Sequence, residues 1–168
     1  ETRAILRAGW QCAGREEQVA APGSYQSVDV LGVPLVLTRD SDADMHVMSR
    51  TCRHRWMEVA SGAGTAATLQ CGYHKWCYAL NGQLLQAPLM DGVREFPAQD
   101  VLLPAVRHEL WNGCVFVNLD GEAPPLAAQL TGLSTHLDDY DLDQYRTVYS
   151  ESWECDWDWK VMVENFVE

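Results

Sequence analysis

The sequence predicts a mainly β fold built from antiparallel strands. Short apolar runs at Leu35–Leu37 and Met45–Met48 are separated by a turn-rich, polar segment. Asn81-Gly82 and Asn112-Gly113 each lie between two apolar runs, and this dipeptide is typical of two-residue hairpin turns. Several short strands joined by close turns favour a small antiparallel sandwich or barrel.

The remaining segments predict a change of structure along the chain. The small residues around Gly62–Gly64 indicate a loop, and Gly121–Pro125 marks a boundary. Val148–Glu154 is interpreted as a further strand. Trp157–Glu168 contains no Gly or Pro and has apolar residues at helical spacing, so we expect a helix there.

Composition excludes two classes of partner. The 168 residues carry a formal net charge of −12, and a nucleic-acid-binding surface needs basic residues. The best apolar run, residues 30–37, is far shorter than the roughly 20 residues that span a bilayer. The N-terminus shows no basic region followed by an apolar one, so we expect no secretory signal and a cytoplasmic protein.

The six cysteines of the chain favour a metal over a disulfide framework. A chain of this size with an aliphatic core does not need disulfides to fold. Two of the cysteines also have histidine neighbours at ligand spacing, which suits a reducing compartment.

One cysteine–histidine pattern predicts the chemistry. Cys52 and His54 form a Cys-x-His pair, and sixteen residues separate it from the Cys-x-x-His pair of Cys71 and His74. Each pair places a thiolate and an imidazole close together on a tight loop. Two such loops facing each other can hold two metals, one bound by both sulfurs and one by both nitrogens. Rieske [2Fe–2S] centres divide their ligands in this way.

Two other interpretations of this pattern stay open. In the first, the cysteines are buried in the core and the histidines form ordinary hydrogen bonds, so that none of the four binds a metal. Two pairs at this spacing make that a poor explanation. A zinc site also accepts two Cys and two His. Its usual spacing, however, pairs Cys with Cys and His with His, so the pattern here is wrong for zinc.

The two loops resemble those of alpha subunits of Rieske non-haem iron oxygenases, which read approximately Cys-x-His-Arg and Cys-Pro-Tyr-His-x-Trp-x-Tyr. Here residues 52–55 read Cys-Arg-His-Arg, and residues 71–78 read Cys-Gly-Tyr-His-Lys-Trp-Cys-Tyr. The departures are Gly72 for the usual Pro, and Trp56 and Lys75 where small residues are usual. They change loop stiffness and surface rather than ligation.

The resemblance covers nearly the whole chain and implies its organisation. It implies a Rieske-type antiparallel β-sandwich domain at residues 23–121, joined to the start of an α+β catalytic domain. Residues 1–22 are expected to pack on that catalytic domain, and residues 122–168 to form a linker and its first elements. The implied ligands of the 2Fe–2S cluster are Cys52, His54, Cys71 and His74.

The family also implies an oxygenase that uses O2 and NAD(P)H-derived electrons, delivered by a reductase or ferredoxin. Residues 159–168 resemble the family segment just before its mononuclear non-haem Fe(II) site, whose ligands lie outside this sequence. Glu168 matches a carboxylate that bridges the iron of one subunit and the cluster of the next, which implies a homo-oligomer, commonly a trimer.

The substrate implied by the resemblance is a small organic molecule, hydroxylated or demethylated. Glu rather than Asp at position 168 resembles the branch that acts on quaternary-ammonium compounds, and an aromatic substrate stays open. The alternative function is a stand-alone Rieske ferredoxin, an electron carrier. Such a carrier would have no need for the helix predicted at Trp157–Glu168.

Overall fold

The computed structural model describes residues 5–90, 92–94 and 96–167. Within these residues the chain forms ten strands and three α-helices. The strands are β1 (Trp10–Arg15), β2 (Ser24–Val30), β3 (Val33–Arg39), β4 (Met45–Ser49), β5 (Ala63–Thr65), β6 (Leu69–Gln70), β7 (Cys77–Tyr78), β8 (Leu84–Gln86), β9 (Arg107–Trp111) and β10 (Cys114–Asn118). The α-helices are α1 (Leu126–Gln129), α2 (Thr131–Leu137) and α3 (Trp159–Val167), and 3-10 turns occur at Glu16–Val19, Ala98–Asp100, Asp138–Tyr140 and Leu142–Gln144.

The strands form three sheets with antiparallel pairing, in the orders β1-β10-β9, β4-β3-β2-β5 and β6-β7-β8. The prediction of a mainly β, antiparallel fold is therefore confirmed. No helix among the described residues is long and apolar enough to cross a membrane.

Strand β3 lies at the centre of the molecule and is buried on both faces. Successive side chains of a strand point to opposite faces. Leu35 and Leu37 accordingly join the core that faces β1 and β10, whereas Val36 joins the core around the third sheet. This double burial explains why the strand appears in the sequence as a continuous apolar run.

The third sheet, β6-β7-β8, contributes side chains to the core that contains Val36. Tyr78 and Leu84 of this sheet are buried with Met48 and Leu103. The Thr38 hydroxyl donates to the carbonyl of Leu80 at 2.6 Å and so ties β3 to this region. The four-stranded sheet β4-β3-β2-β5, called the central sheet below, thus supports the third sheet, whose strands β6 and β7 flank the second cysteine–histidine pair.

The two predicted hairpin turns differ in detail. Asn112 (φ 49°) and Gly113 (φ 72°) both have positive φ between β9 and β10, as a two-residue turn requires. Gly82 alone has positive φ in the other turn, at 89°. Asn81 instead accepts the Gln83 amide on its side chain, and the turn is longer than predicted because the Gln83 carbonyl accepts the amide of Ala79.

Two segment predictions were wrong. Ala63 and Gly64, expected to lie in a loop, belong to β5 because this segment pairs with the edge of β2. Val148–Glu154, expected to be a strand, is irregular and exposed. The predicted C-terminal helix is confirmed as α3, although none of its residues is buried in the described structure.

Candidate iron–sulfur site

The cysteine–histidine pairs lie on two loops, residues 52–57 and 71–76, that share one backbone design. In each loop the amide of the cysteine donates to the carbonyl of the last loop residue, at 2.8 Å in both cases. The fifth residue, Trp56 or Lys75, donates its amide to the carbonyl of the cysteine at 3.0 or 3.1 Å. These two residues take positive φ, 57° and 62°, which closes each turn.

A buried arginine holds the first loop on the central sheet. Arg50 donates to the carbonyls of Val28 at 2.7 Å and Leu35 at 3.3 Å. Its guanidinium also pairs with the carboxylates of Asp29 and Glu58, at 3.1 Å in both cases. The backbone between β4 and the loop is therefore held by hydrogen bonds from Arg50 to β2 and β3.

The two thiols lie inside the protein near one tyrosine hydroxyl. Cys52 and Cys71 are buried, and the Cys52 sulfur lies 3.3 Å from the hydroxyl oxygen of Tyr78. That oxygen accepts the Arg53 amide at 3.1 Å. Burial, together with the contact to Cys52, raises the pKa of Tyr78 above its ordinary value. The tyrosine hydroxyl therefore keeps its proton and can donate it to the Cys52 sulfur when that cysteine is a thiolate.

The two imidazoles lie side by side closer to the surface. The ring centroids of His54 and His74 are 4.6 Å apart, with the planes inclined by 65°. The buried Trp76 ring stacks on His54 at 4.8 Å, and Tyr73 lies against His74 at 3.8 Å. Burial, followed by the nearby His74 and Arg55 charges, lowers the pKa of His54. The imidazole is therefore kept neutral, the form that binds a metal.

The donor set fits a [2Fe–2S] cluster. The Nδ1 atom of His74 is buried without a hydrogen-bond partner, as an atom reserved for a metal would be. Of the described residues, no three Cys, His, Asp or Glu side chains are grouped to hold a single metal ion. A Rieske cluster needs only two protein donors on each iron, sulfur on one and nitrogen on the other.

The structure brings together Cys52, His54, Cys71 and His74 of the predicted site residues. Glu168 lies outside the described residues. No local pattern in the sequence indicates the anchoring role of Arg50 or the hydrogen bond between Tyr78 and the Cys52 sulfur.

An antiparallel β scaffold that presents two thiols and two imidazoles on paired loops defines the class of Rieske-type iron–sulfur proteins. Consistent with this class, residues 9–97 match the family described as the Rieske [2Fe-2S] domain. That match covers more than half of the chain, which therefore belongs to this family. The domain implies a 2Fe–2S cluster as its cofactor.

Similar proteins extend the likeness to the whole chain. The carnitine monooxygenase oxygenase subunit of Acinetobacter baumannii is 29% identical over 100% of this chain and 46% of its own length. The glycine betaine monooxygenase oxygenase subunit of Chromohalobacter salexigens is 30% identical over 98% of this chain and 37% of its own length.

Solved structures of Rieske oxygenases also resemble this chain. The quaternary ammonium Rieske monooxygenase CntA in complex with L-carnitine superposes with a TM-score of 0.93 at 29% identity, over 100% of this chain and 49% of that one. A naphthalene 1,2-dioxygenase variant bound to phenanthrene gives 0.74 at 27% identity, over 80% of this chain and 31% of that one. The chain spans less than half the length of these relatives. They are oxygenases, and a stand-alone ferredoxin is accordingly not favoured.

Proposed function

We propose that this chain is the electron-receiving part of the oxygenase component of a Rieske non-haem iron oxygenase, with its cluster held by Cys52, His54, Cys71 and His74. The observation that supports this best is the convergence of two buried thiols and two adjacent imidazoles on loops of the same design. When bound, the cluster would supply one-electron transfer at a potential above that of all-cysteine ferredoxins.

The residues around the four donors have separate tasks in this proposal. With Cys52 as a thiolate ligand, Tyr78 would donate a hydrogen bond to its sulfur and so favour the more negative, reduced state of the cluster. The stacked Trp76 ring fixes the orientation of the His54 ring and excludes water from one of its faces. Arg50 keeps the first loop in place through the central sheet.

The organisation of the whole protein follows from the same proposal. Residues 23–121 form the Rieske domain together with β1 (Trp10–Arg15), whose pairing with β10 joins it to a sheet of that domain rather than to a catalytic domain. Residues 122–168 belong with a catalytic domain that carries the mononuclear Fe(II). Exposed apolar side chains along residues 148–167 support this division, because they need a further part of the protein to cover them. Glu168 would couple neighbouring subunits of a homo-oligomer, commonly a trimer, in the cytoplasm.

The proposed reaction is the hydroxylation or demethylation of a small organic substrate with O2 and NAD(P)H-derived electrons from a reductase or ferredoxin. A quaternary-ammonium substrate is favoured over an aromatic one. The relatives that match the whole chain are named for carnitine and glycine betaine, and the CntA structure with L-carnitine superposes better than the dioxygenase.

Purification of the full-length protein tests this proposal. We expect red-brown protein with about two irons and two labile sulfides per chain, and a rhombic electron paramagnetic resonance (EPR) signal after reduction. Turnover should be seen with carnitine or glycine betaine and a matching reductase. Colourless protein that contains zinc would reject the cluster, and reduced holoprotein that oxidises no quaternary-ammonium compound would reject the substrate class.

Matched substitutions separate ligation from general damage. Cys71→Ser and His74→Ala should abolish the EPR signal, because each removes one donor. Cys155→Ser and His136→Ala make the same chemical changes at exposed positions outside the loops and should leave it unchanged. His54→Ala should behave as His74→Ala does.

A further inference from the structure

The segment at residues 142–147, which we call the connector, is bound to the Rieske sheet by one arginine. Arg15, at the end of β1, donates from Nη2 to the carbonyls of Leu142 at 2.9 Å and Tyr145 at 2.7 Å. Its Nη1 atom donates to the carbonyl of Asn112 at 3.1 Å, in the turn between β9 and β10. The guanidinium thus joins a sheet of the Rieske domain to a segment that is far from it in sequence.

A neighbouring carboxylate makes a second bridge to the connector. Glu17, in the 3-10 turn that follows β1, accepts the Thr147 amide at 2.6 Å, and its other oxygen lies 3.5 Å from the Arg146 guanidinium. Within the described chain, only Leu142 of the connector is partly buried, and the rest of it is exposed. Hydrogen bonds and an ion pair, rather than apolar burial, therefore hold the connector on the domain.

The connector also passes close to the backbone of the turn between β9 and β10. A Cβ added at Gly113 would lie 3.0 Å from the Cα atom of Asp143, closer than an ordinary contact. The Glu16 amide donates to the Gly113 carbonyl at 2.9 Å and so ties this turn to the end of β1. A cleft of about 630 Å³ lies beside these contacts and is lined by residues of both parts. The connector is therefore joined to the domain at a few defined points.

We propose that Arg15 is a positioning residue for electron transfer: by fixing the connector, it holds the cluster in the place that transfer to the mononuclear iron requires. This inference rests on the proposed function, in which residues 122–168 lead into the catalytic domain, and it adds a residue that sets the geometry between the two parts. A movement of the Rieske domain against the connector would displace the cluster as a whole. A misplacement of about 1 Å between reacting groups can lower a rate about a hundredfold.

Arginine suits this position because its guanidinium is planar and carries five N–H donors in a fixed arrangement. Nη1 donates to the turn and Nη2 to the connector, so that one side chain satisfies carbonyls on both sides. Lysine keeps the charge, but its ammonium is a single point that cannot present two separate donor edges. Arg15→Lys should therefore loosen the connector without changing the charge of the protein.

Single-turnover kinetics of the full-length, cluster-loaded protein test the inference. Dithionite-reduced protein is mixed with O2 and with carnitine or glycine betaine, whichever the parent oxidises, and cluster reoxidation and product are measured. Arg39→Lys is the matched control. Its guanidinium donates to the carbonyls of Val19 and Ala43, and it pairs with Glu16, so all its partners lie outside the connector.

A second reaction bypasses the cluster. Hydrogen peroxide carries both the oxygen atom and the two electrons, so a substrate C–H becomes C–OH and water is released without electrons from the cluster. Peroxide-driven product formation therefore reports on the catalytic domain alone. It should be the same in Arg15→Lys as in the parent.

We expect cluster reoxidation and product formation to slow about tenfold in Arg15→Lys, with a parent-like EPR spectrum and reduction potential. The substrate concentration that gives the half-maximal rate should stay within about twofold of the parent value. Hydrogen exchange at the amides of Tyr145 and Thr147 should accelerate. Arg39→Lys should reoxidise at the parent rate. Glu17→Ala, which removes the acceptor of the Thr147 amide, should slow reoxidation in the same direction and tests the inference if Arg15→Lys does not fold.

Parent-like reoxidation in Arg15→Lys and Glu17→Ala would overturn the inference, whether or not hydrogen exchange in the connector accelerates. Equal slowing in Arg39→Lys, or a loss of peroxide-driven turnover in Arg15→Lys, would also overturn it, because the damage would then be general. Both outcomes leave the proposed function intact, since the parent protein would still form product. A reduced parent protein that forms no product with O2 would instead refute the proposed function.

Discussion

Replacing Tyr78 with Phe tests how the protein adjusts the potential of its cluster. The change removes one hydroxyl from a buried ring and leaves the shape of the side chain unchanged. That hydroxyl accepts the Arg53 amide and lies 3.3 Å from the Cys52 sulfur, to which it would donate once the cysteine is a thiolate bound to iron. Reduction adds negative charge to the cluster, so the hydrogen bond is stronger in the reduced state. Its loss should lower the reduction potential.

The size of the effect follows from hydrogen-bond energies. A hydrogen bond contributes about 1 kcal/mol with a neutral acceptor and about 1.5–3 kcal/mol with a charged one. One added electron is shared over the whole cluster, so we take the hydrogen bond to be about 1 kcal/mol stronger in the reduced state than in the oxidised state. A tenfold change in a one-electron couple is about 59 mV, or about 1.4 kcal/mol, and the expected decrease is therefore about 40 mV.

A redox titration followed by EPR or circular dichroism measures this change. Tyr25→Phe is the matched control, because the partly buried Tyr25 packs against the same core. It should leave the potential within about 10 mV of the parent. A parent-like or higher potential in Tyr78→Phe would refute the hydrogen-bond argument.

Two contacts that involve Arg15 and Glu17 give two further predictions. A Cβ at Gly113 would lie 2.9 Å from the Arg15 guanidinium, whereas Gly32 has comparable φ and open space around it. Gly113→Ala should therefore lower the free energy of unfolding in urea by about 1 kcal/mol more than Gly32→Ala does, and equal losses would contradict the contact. The Thr147 amide donates to the Glu17 carboxylate at 2.6 Å, which lowers the pKa of Glu17 below its ordinary value of 4.5. Since the depressed pKa belongs to the folded state, this stabilisation is present above pH 4.5 and is lost as the pH falls through the folded value. Hydrogen exchange at the Thr147 amide should accelerate in that range, beyond its intrinsic pH dependence, and Glu17→Gln should abolish the excess.

Local spacing explains what the sequence predicted correctly. The apolar run of β3 and the Asn112-Gly113 turn are each specified within a few neighbouring residues. A tight loop that begins at cysteine fixes where its histidine lies, so Cys-x-His and Cys-x-x-His are informative without knowledge of the fold. The same holds for α3, whose helical spacing is a local property.

Long-range contacts explain what the sequence did not predict. The strand β5 exists because it pairs with β2. Glycine suits position 64 because a Cβ there would lie 3.1 Å from the Tyr25 hydroxyl, closer than an ordinary contact. The bond between Tyr78 and Cys52 joins residues far apart in sequence. Val148–Glu154 has a strand-like composition, but no strand among the described residues pairs with it.

Two nitrogens and two sulfurs of this chain divide between two irons in the proposed cluster. Electron–nuclear double resonance on reduced protein labelled with 15N-histidine tests it most directly. We predict two coupled imidazole nitrogens in the parent protein and one in His74→Cys, which should keep a cluster at lower potential because thiolate replaces neutral imidazole. Parent protein with an iron signal but no coupled histidine nitrogen would contradict the account.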